Sequence, residues 1–360
     1  MTIYLLVAFL LSTLCGFIFT PLILDFCKKK RLYDIPNERK VHKNAVPRLG
    51  GISFLPSMFL AFTLVIAVLG IRHEQTVTVN MWSISFMLGL TIIYCTGIID
   101  DLIGLNATTK FAAQIVAACL LPAMSLYINN LYGLFGIYEI PVYVGMPLTV
   151  FLIVLITNAF NLIDGIDGLA SGLALIALGG FLVYFTSYNV YAYTYSVIIA
   201  GMMGAVVAFM YFNTFGNVER NTKIFMGDSG SLSLGFFLGV LAIKCTMDNT
   251  RVWESRPEAL LVAMTLLFLP TIDVARVTLY RLLHHRPIFS ADKNHIHHKL
   301  MQAGLTQHQT LIAILLLDVL FIAFNFVTYS YLPSTVILIA DIALFSAAVA
   351  GINLRIKSKA

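Results

Sequence analysis

The chain has 360 residues, of which 59% are hydrophobic and 11% charged, with a formal net charge of +5. An average soluble domain carries about 25% charged residues, so this composition excludes a soluble globular protein and marks an integral membrane protein. The positive balance does not indicate nucleic acid, because the cations gather at the ends of apolar runs, where they set topology. Of the five cysteines, Cys15, Cys95, Cys119 and Cys245 fall inside apolar runs and Cys27 at a boundary, a pattern that makes neither a disulfide nor a zinc framework.

Apolar runs at 2–26, 49–71, 81–99, 109–128, 145–160, 169–187, 193–213, 230–246, 258–280, 310–331 and 333–353 are each about the length of a bilayer-spanning helix. They predict an all-α, polytopic membrane bundle of about eleven transmembrane helices, forming a single membrane-embedded domain over 1–360. The first run lacks a basic leader and ends in Lys28-Lys29-Lys30-Arg31, which reads as a retained anchor. With that cluster inside, alternation puts nineteen of the 23 Lys and Arg on the inner side and leaves Arg72, Lys244, Arg251 and Arg256 outside. The amino terminus then faces out and the carboxyl terminus in. The outer loops 129–144 and 247–257 only connect spans, whereas every polar cluster falls on the inner face.

The first inner loop runs Asp34-Ile-Pro36-Asn37-Glu38-Arg39-Lys40-Val-His42-Lys43, then Pro47-Arg48-Leu-Gly50-Gly51. Lys43 and Arg48, beside the glycine pair, suit phosphate contact by charge and guanidinium fork; the basic run before them sets topology. The third span ends in Asp100-Asp101, with Lys110 nine residues beyond. Adjacent carboxylates repel, and they persist where a metal, a cation or solvent compensates; the bland reading is a solvated turn.

The fifth span leads into Asn158-Ala-Phe-Asn161-Leu-Ile-Asp164-Gly165-Ile-Asp167-Gly168. Four oxygen-bearing side chains at a membrane boundary are a functional site by default. Before the eighth span lies Lys223-Ile-Phe225-Met-Gly227-Asp228-Ser229-Gly230-Ser231. A carboxylate among small residues at a helix start can hold Mg²⁺ beside a diphosphate, or simply cap the helix. After the ninth span, His284, His285, His295, His297 and His298 crowd into fifteen residues. No cysteine accompanies them, so phosphate contact and proton transfer suit them better than zinc. Asp273 and Arg276, three residues apart, form a structural pair on one helix face, and Asp25, Asp318 and Asp341 make bundle-facing hydrogen bonds.

Taken together and in order, Pro36-Asn37-x-Arg39-Lys40-x-His42 with Pro47-x-x-Gly50-Gly51, Asp100-Asp101, the Asn158–Leu169 segment, Phe225–Ser231 and His295-Ile-His297-His298 resemble the polyprenyl-phosphate N-acetylhexosamine-1-phosphate transferases. The likeness is greatest to the bacterial branch that uses UDP-GlcNAc to start O-antigen, enterobacterial common antigen or teichoic acid linkage synthesis. The branch that transfers phospho-MurNAc-pentapeptide carries three adjacent histidines, which Ile296 interrupts here.

The resemblance implies Mg²⁺, with Mn²⁺ as its substitute, held by Asn161 and Asp228. It implies uracil read by Asp167 with Phe225 near the base, Asp100 and Asp101 on the lipid-phosphate side, and Lys43 and Lys110 on phosphates. His295, His297 and His298 fall near the diphosphate and sugar, and Arg48, Asn158 and Asp164 complete the substrate-binding set, Asp164 at a position that varies between branches. The implied partners are a UDP-N-acetylhexosamine, undecaprenyl phosphate and the lipid bilayer, with a second copy of the chain as a possible dimer mate. The implied setting is the bacterial inner membrane, with the site facing the cytoplasm. A transporter is the rival class; it predicts charge at mid-membrane and often an internal repeat, whereas this sequence gathers its charged clusters at one face and shows no 20–50-residue repeat.

Overall fold

A computed structural model describes residues 2–34, 45–72, 81–188, 193–248, 256–287 and 293–358. The described chain is almost wholly helical, in thirteen α-helices. Nine of them are long and apolar enough to cross a membrane: α1 (Thr2–Lys30), α2 (Phe54–Ile71, entered by a 3₁₀ turn at Gly50–Ser53), α3 (Met81–Ile103), α5 (Val142–Ile163), α6 (Leu169–Tyr188), α7 (Tyr193–Phe215), α8 (Gly227–Thr246), α12 (Gln307–Thr328) and α13 (Ser334–Lys357). The shorter apolar α4 (Ala107–Ala123) lies between α3 and α5.

The ninth apolar run is not one straight helix. It is split into α9 (Ala259–Leu266) and α10 (Phe268–Leu283), bent by 68°. Pro270 lies one turn past the break and can neither donate a bond back to Leu266 nor clear its carbonyl. Short α11 (Ile296–Gln302) then leads into α12, whose first turn is closed by a capping box between Thr306 and Gln309. Two small antiparallel ribbons complete the fold, pairing Tyr33–Asp34 with Val46–Pro47 and Asn130–Leu134 with Ile137–Glu139.

The bundle is built around α8. Its membrane-length window is fully buried, against 17% for α1 and 22% for α13, which turn apolar faces to lipid. A helix enclosed on all sides in an apolar environment needs close neighbours rather than an amphipathic stripe, and α8 supplies small residues for this. Gly51 and Gly230 meet backbone to backbone, and Gly97 of α3 lies against Ser229. The amino end of α8 is thereby wedged between the Gly50–Ser53 turn and the carboxyl end of α3.

Candidate active site

The site forms around that amino end. Residues 225–226 run extended beside 47–51: the Phe225 N–H donates to Pro47 O at 2.8 Å, and the Gly50 and Gly51 N–H groups donate to Phe225 O and Met226 O at 2.9 and 2.8 Å. Gly227 then turns the chain into α8 at φ +72°, in a space closed by Arg48 O and the Asp101 carboxylate, where a side chain would not fit. The helix begins under Asp101, whose two oxygens accept the Asp228 and Ser229 N–H groups, each at 2.9 Å. A buried carboxylate thus satisfies two of the four open donors of a helix end and meets the positive end of its dipole. Arg48 Nε donates to Asp101 O at 2.8 Å, tying the first inner loop to the same point.

Asp100 does different work. Its Oδ1 accepts the Leu105 N–H at 2.7 Å and closes the turn between α3 and α4, while Asn106 caps α4 through Thr109 N. The turn brings Lys110 back over the carboxylates, with Nζ 2.8 Å from Asp228 Oδ2 and 3.4 Å from Asp100 Oδ2. Carboxylate oxygens of Asp100, Asp101 and Asp228 lie within 4.8 Å of one another. Three carboxylates with one lysine leave an all-oxygen, negatively charged nest, the donor set that hard divalent cations prefer.

Asn161 joins from α5. Its Nδ2 donates to Ser231 Oγ at 2.9 Å, and Ser231 sits one turn along α8 from Asp228. The bond spends the amide nitrogen on the helix and leaves the amide oxygen as the group available to a ligand. Asn158, one turn earlier, donates to Gln114 Oε1 and Val154 O, so its amide braces α5 against α4.

Beyond Asn161 the chain leaves α5 in a tight loop. Asp164 is half-buried at the end of α5. Burial, and after it the charges of Asp167, Asp228 and Asp101, push its carboxyl up to about 8. It is therefore protonated at neutral pH. Asp167 is handled differently: Lys223 Nζ lies 2.7 Å from Oδ2, and Asn213 Nδ2 lies 3.4 Å from Oδ1. Asn213 also accepts the Gly168 N–H at 2.7 Å and donates to Ile224 O at 2.9 Å, fastening the end of α7 to both loops. Phe225 stays partly exposed between buried Ile224 and Met226.

The histidine segment packs over the loop after α5, with His297 against Gly165. Fully buried Asp273 accepts from His295 Nδ1 at 2.9 Å, from Arg276 at 2.7 Å and from the Ile296 N–H at 3.2 Å. The Asp273–Arg276 pair expected from spacing is present, and the same carboxylate also anchors the first turn of α11. His295 and His297 stack almost parallel at 6.0 Å, and His297 lies so close over Gly165 that no side chain would fit there. Burial, with the charges of His298 and His295, drives the His297 imidazole down to about 3. It is neutral, and among the described residues neither ring nitrogen has a hydrogen-bond partner, nor does His295 Nε2. Buried polar atoms left open cost about 1–3 kcal/mol each, which suits groups kept for a ligand.

Residues 83–246 match the model of the family described as Glycosyl transferase family 4. The Bacillus subtilis protein named "Probable undecaprenyl-phosphate N-acetylglucosaminyl 1-phosphate transferase" is 32% identical over 320 residues, which cover 88% of this chain and 82% of that relative. The undecaprenyl-phosphate alpha-N-acetylglucosaminyl 1-phosphate transferase of Escherichia coli is 31% identical over 313 residues, 83% of this chain and 78% of its own length. A decaprenyl-phosphate N-acetylglucosaminephosphotransferase of Mycobacterium tuberculosis is 32% identical over 309 residues, with 81% and 74% covered. The chain belongs to this transferase family.

Of the residues singled out in this family member's sequence, Arg48, Asp100, Asp101, Lys110, Asn161 and Asp228 meet at the start of α8. Asp164, Asp167 and Phe225 line the adjoining loops, and His297 reaches them over Gly165. Lys43 lies outside the described residues. Three contributors were missed. Lys223 stood in a quoted motif without a role, Asn213 was hidden in an apolar run, and Asp273 was given only half of its bonds. A polar residue at the inner end of a span is the signal that would have drawn attention to Asn213.

Among the remaining span carboxylates, Asp341 accepts from Asn325 at 2.8 Å as expected. Asp25 instead is exposed and pairs with Lys28 at 3.4 Å. Asp318 is buried without a hydrogen-bond partner among the described residues, so the bond expected of it is not formed.

Proposed function

We propose that this multi-pass membrane transferase moves N-acetylglucosamine 1-phosphate from UDP-N-acetylglucosamine to undecaprenyl phosphate, releasing UMP, at the cytoplasmic face of a bacterial inner membrane. The observation that carries the reading is the nest of Asp100, Asp101 and Asp228 with Lys110 at the buried start of α8, in a chain whose relatives are named for this transfer. The clustering of nineteen of 23 basic residues on the same side supports the cytoplasmic orientation.

An oxygen of the carrier phosphate attacks the β-phosphorus of the nucleotide sugar, a new P–O bond forms and the bond to the UMP phosphate breaks. Phosphoryl transfer asks for positioning and charge neutralisation more than for covalent help. With a second pKa near 6, the carrier phosphate is largely a dianion at neutral pH, so a strong general base is not required. Asp228 and Asn161 are suited to hold Mg²⁺, which when bound neutralises diphosphate charge. Lys110 and Arg48 supply cations to phosphate oxygens. Asp101, with both oxygens on backbone donors, suits a positioning role, and Asp100 is the better placed of the pair to take a residual proton. Asp167 accepts the uracil N3–H, with Phe225 beside the base, and the open nitrogens of His295 and His297 meet the diphosphate and sugar. An apolar cavity of about 210 Å³ between α5, α8 and the bent α9 and α10 has the chemistry of a prenyl chain.

The test is UMP release by purified protein given undecaprenyl phosphate and a panel of UDP-sugars with Mg²⁺. Turnover with UDP-N-acetylglucosamine is expected, and no UMP from any sugar would sink the reading. Reporter fusions after Glu219 and Ala303 should read inside and those after Glu139 outside.

A further inference from the structure

Among the described residues the site holds several carboxylates and few cations, and the cations are divided unevenly between them. Lys110 serves Asp228 and Asp100. Asp101 is served by two backbone N–H groups at a helix start. Asp164 has no hydrogen bond and no cation among the described residues, and burial pushes its carboxyl up to about 8. Asp167, three residues away in the same loop, has its own lysine: Lys223 Nζ, 12% exposed, lies 2.7 Å from Oδ2.

Lys223 is itself fixed. Its ammonium also donates to Asn213 O, and Asn213 binds Gly168 N and Ile224 O on either side. The ammonium thus holds one oxygen of Asp167 and leaves Oδ1, which has only a long 3.4 Å contact to Asn213, as the better acceptor for a ligand. A carboxylate that selects a base by taking its N–H must be ionised and must offer one oxygen in one direction. Without its lysine Asp167 would keep only the long 3.4 Å contact to Asn213, and neither oxygen would be held in one direction for a ligand.

We propose that Lys223 is the specificity-determining positioning residue of the nucleotide subsite, holding Asp167 as an oriented acceptor for a pyrimidine that carries a proton on N3. The assignment rests on the reading of Asp167 as the base contact. It separates two neighbouring lysine sites: Lys110 acts on the transferring phosphates, and Lys223 acts only through Asp167 on the base.

The experiment compares full-length wild type, Lys223→Met, Lys223→Arg and Asp167→Ala, measuring kcat and KM for the UDP-sugar at saturating carrier phosphate, and inhibition by UMP against CMP. Lys223→Met is expected to raise KM about tenfold, leave kcat within about threefold and cut the preference for UMP over CMP about tenfold, a loss of uniform binding rather than of transition-state stabilisation. Lys223→Arg restores both to within about threefold of wild type, because the charge is kept. A merely structural lysine would change kcat and stability without moving the UMP-to-CMP ratio. If Lys223→Met keeps wild-type KM and preference while Asp167→Ala loses both, the role of Lys223 is overturned and the base-reading Asp167 stands. If Asp167→Ala also keeps both, the nucleotide reading itself fails. Should Lys223→Met not fold, Lys223→Gln, which retains donors for Asn213 O and Asp167 without the charge, takes its place with the same expected loss of preference.

Discussion

The two ends of α8 both bury charge, and they satisfy it in opposite ways. At the outer end Lys244 is 2% exposed, with its ammonium 4.0 Å from the Trp82 ring centroid and 5.4 Å from that of Tyr195. Arg256 lies 5.1 Å from the Tyr184 ring and donates to Cys245 O. Asp248 is held by Asn129 and Asn130 from the outer hairpin. Cations stand at the negative end of the helix dipole, faced by aromatic rings and carbonyls. At the inner end a carboxylate likewise stands at the positive end of the dipole, yet two more carboxylates are crowded against it with one lysine between them. Among the described residues the outer cluster sets its cations against rings, carbonyls and a carboxylate, whereas the inner one gathers three carboxylates about one lysine, as the proposed cation and anionic substrate require. Burial of charge alone therefore does not mark a site; the sign imbalance does.

The largest expected effect comes from Asp228→Ala, which removes the anionic ligand proposed for Mg²⁺. Turnover should fall by about a thousandfold or more at every Mg²⁺ concentration, while the purified protein keeps its helical circular dichroism. Near-normal UMP release would move the metal elsewhere and remove the contrast between the ends.

Asp101→Ala should cost both activity and stability. It strips two buried N–H donors of their acceptor, a loss of about 1–3 kcal/mol each beyond the capping energy. Thermal unfolding in detergent would register this as a lower Tm, and a variant with unchanged Tm would mean that Asp101 does not start the helix.

The pH profile sharpens the comparison through two groups at the inner end. Asp164, raised to about 8, binds a proton in the folded state that the unfolded chain has released, so its stabilisation is full at low pH and is lost as pH rises through about 8. His297, depressed to about 3, works the other way: folding keeps it neutral, and stability falls as pH drops from about 6.5 towards 3. Asp164→Asn should flatten the alkaline loss in a Tm series from pH 6 to 9, and an unchanged slope would assign that loss to other groups.

The smallest effect should follow Lys244→Met. It exchanges a buried ammonium for an apolar chain of similar length, losing a cation–π contact of about 0.5–2 kcal/mol and also the cost of burying the charge. UMP release should stay within about threefold of wild type. A collapse of turnover with retained fold would show that the outer end participates in the reaction.

The sequence by itself determined the membrane class and most of the spans, because span length is a local property of the chain; of the eleven expected runs, 109–128 is the shorter α4 and 258–280 the bent α9 and α10, leaving nine helices long and apolar enough to cross among the described residues. It also held the start of α8, since Gly227-Asp228-Ser229 after an apolar run signals a helix terminus. Only the tertiary structure decided which charge meets which. Lys110 reaches Asp228 across 118 residues of sequence, Lys223 reaches Asp167 across 56, and His295 reaches Asp273 across 22. Such pairings depend on which helix ends the packed bundle brings together, and no spacing along the chain encodes them. The same holds for Asp164 and Asp167: three residues apart and chemically identical, they differ in surroundings because the fold gives a lysine to one of them.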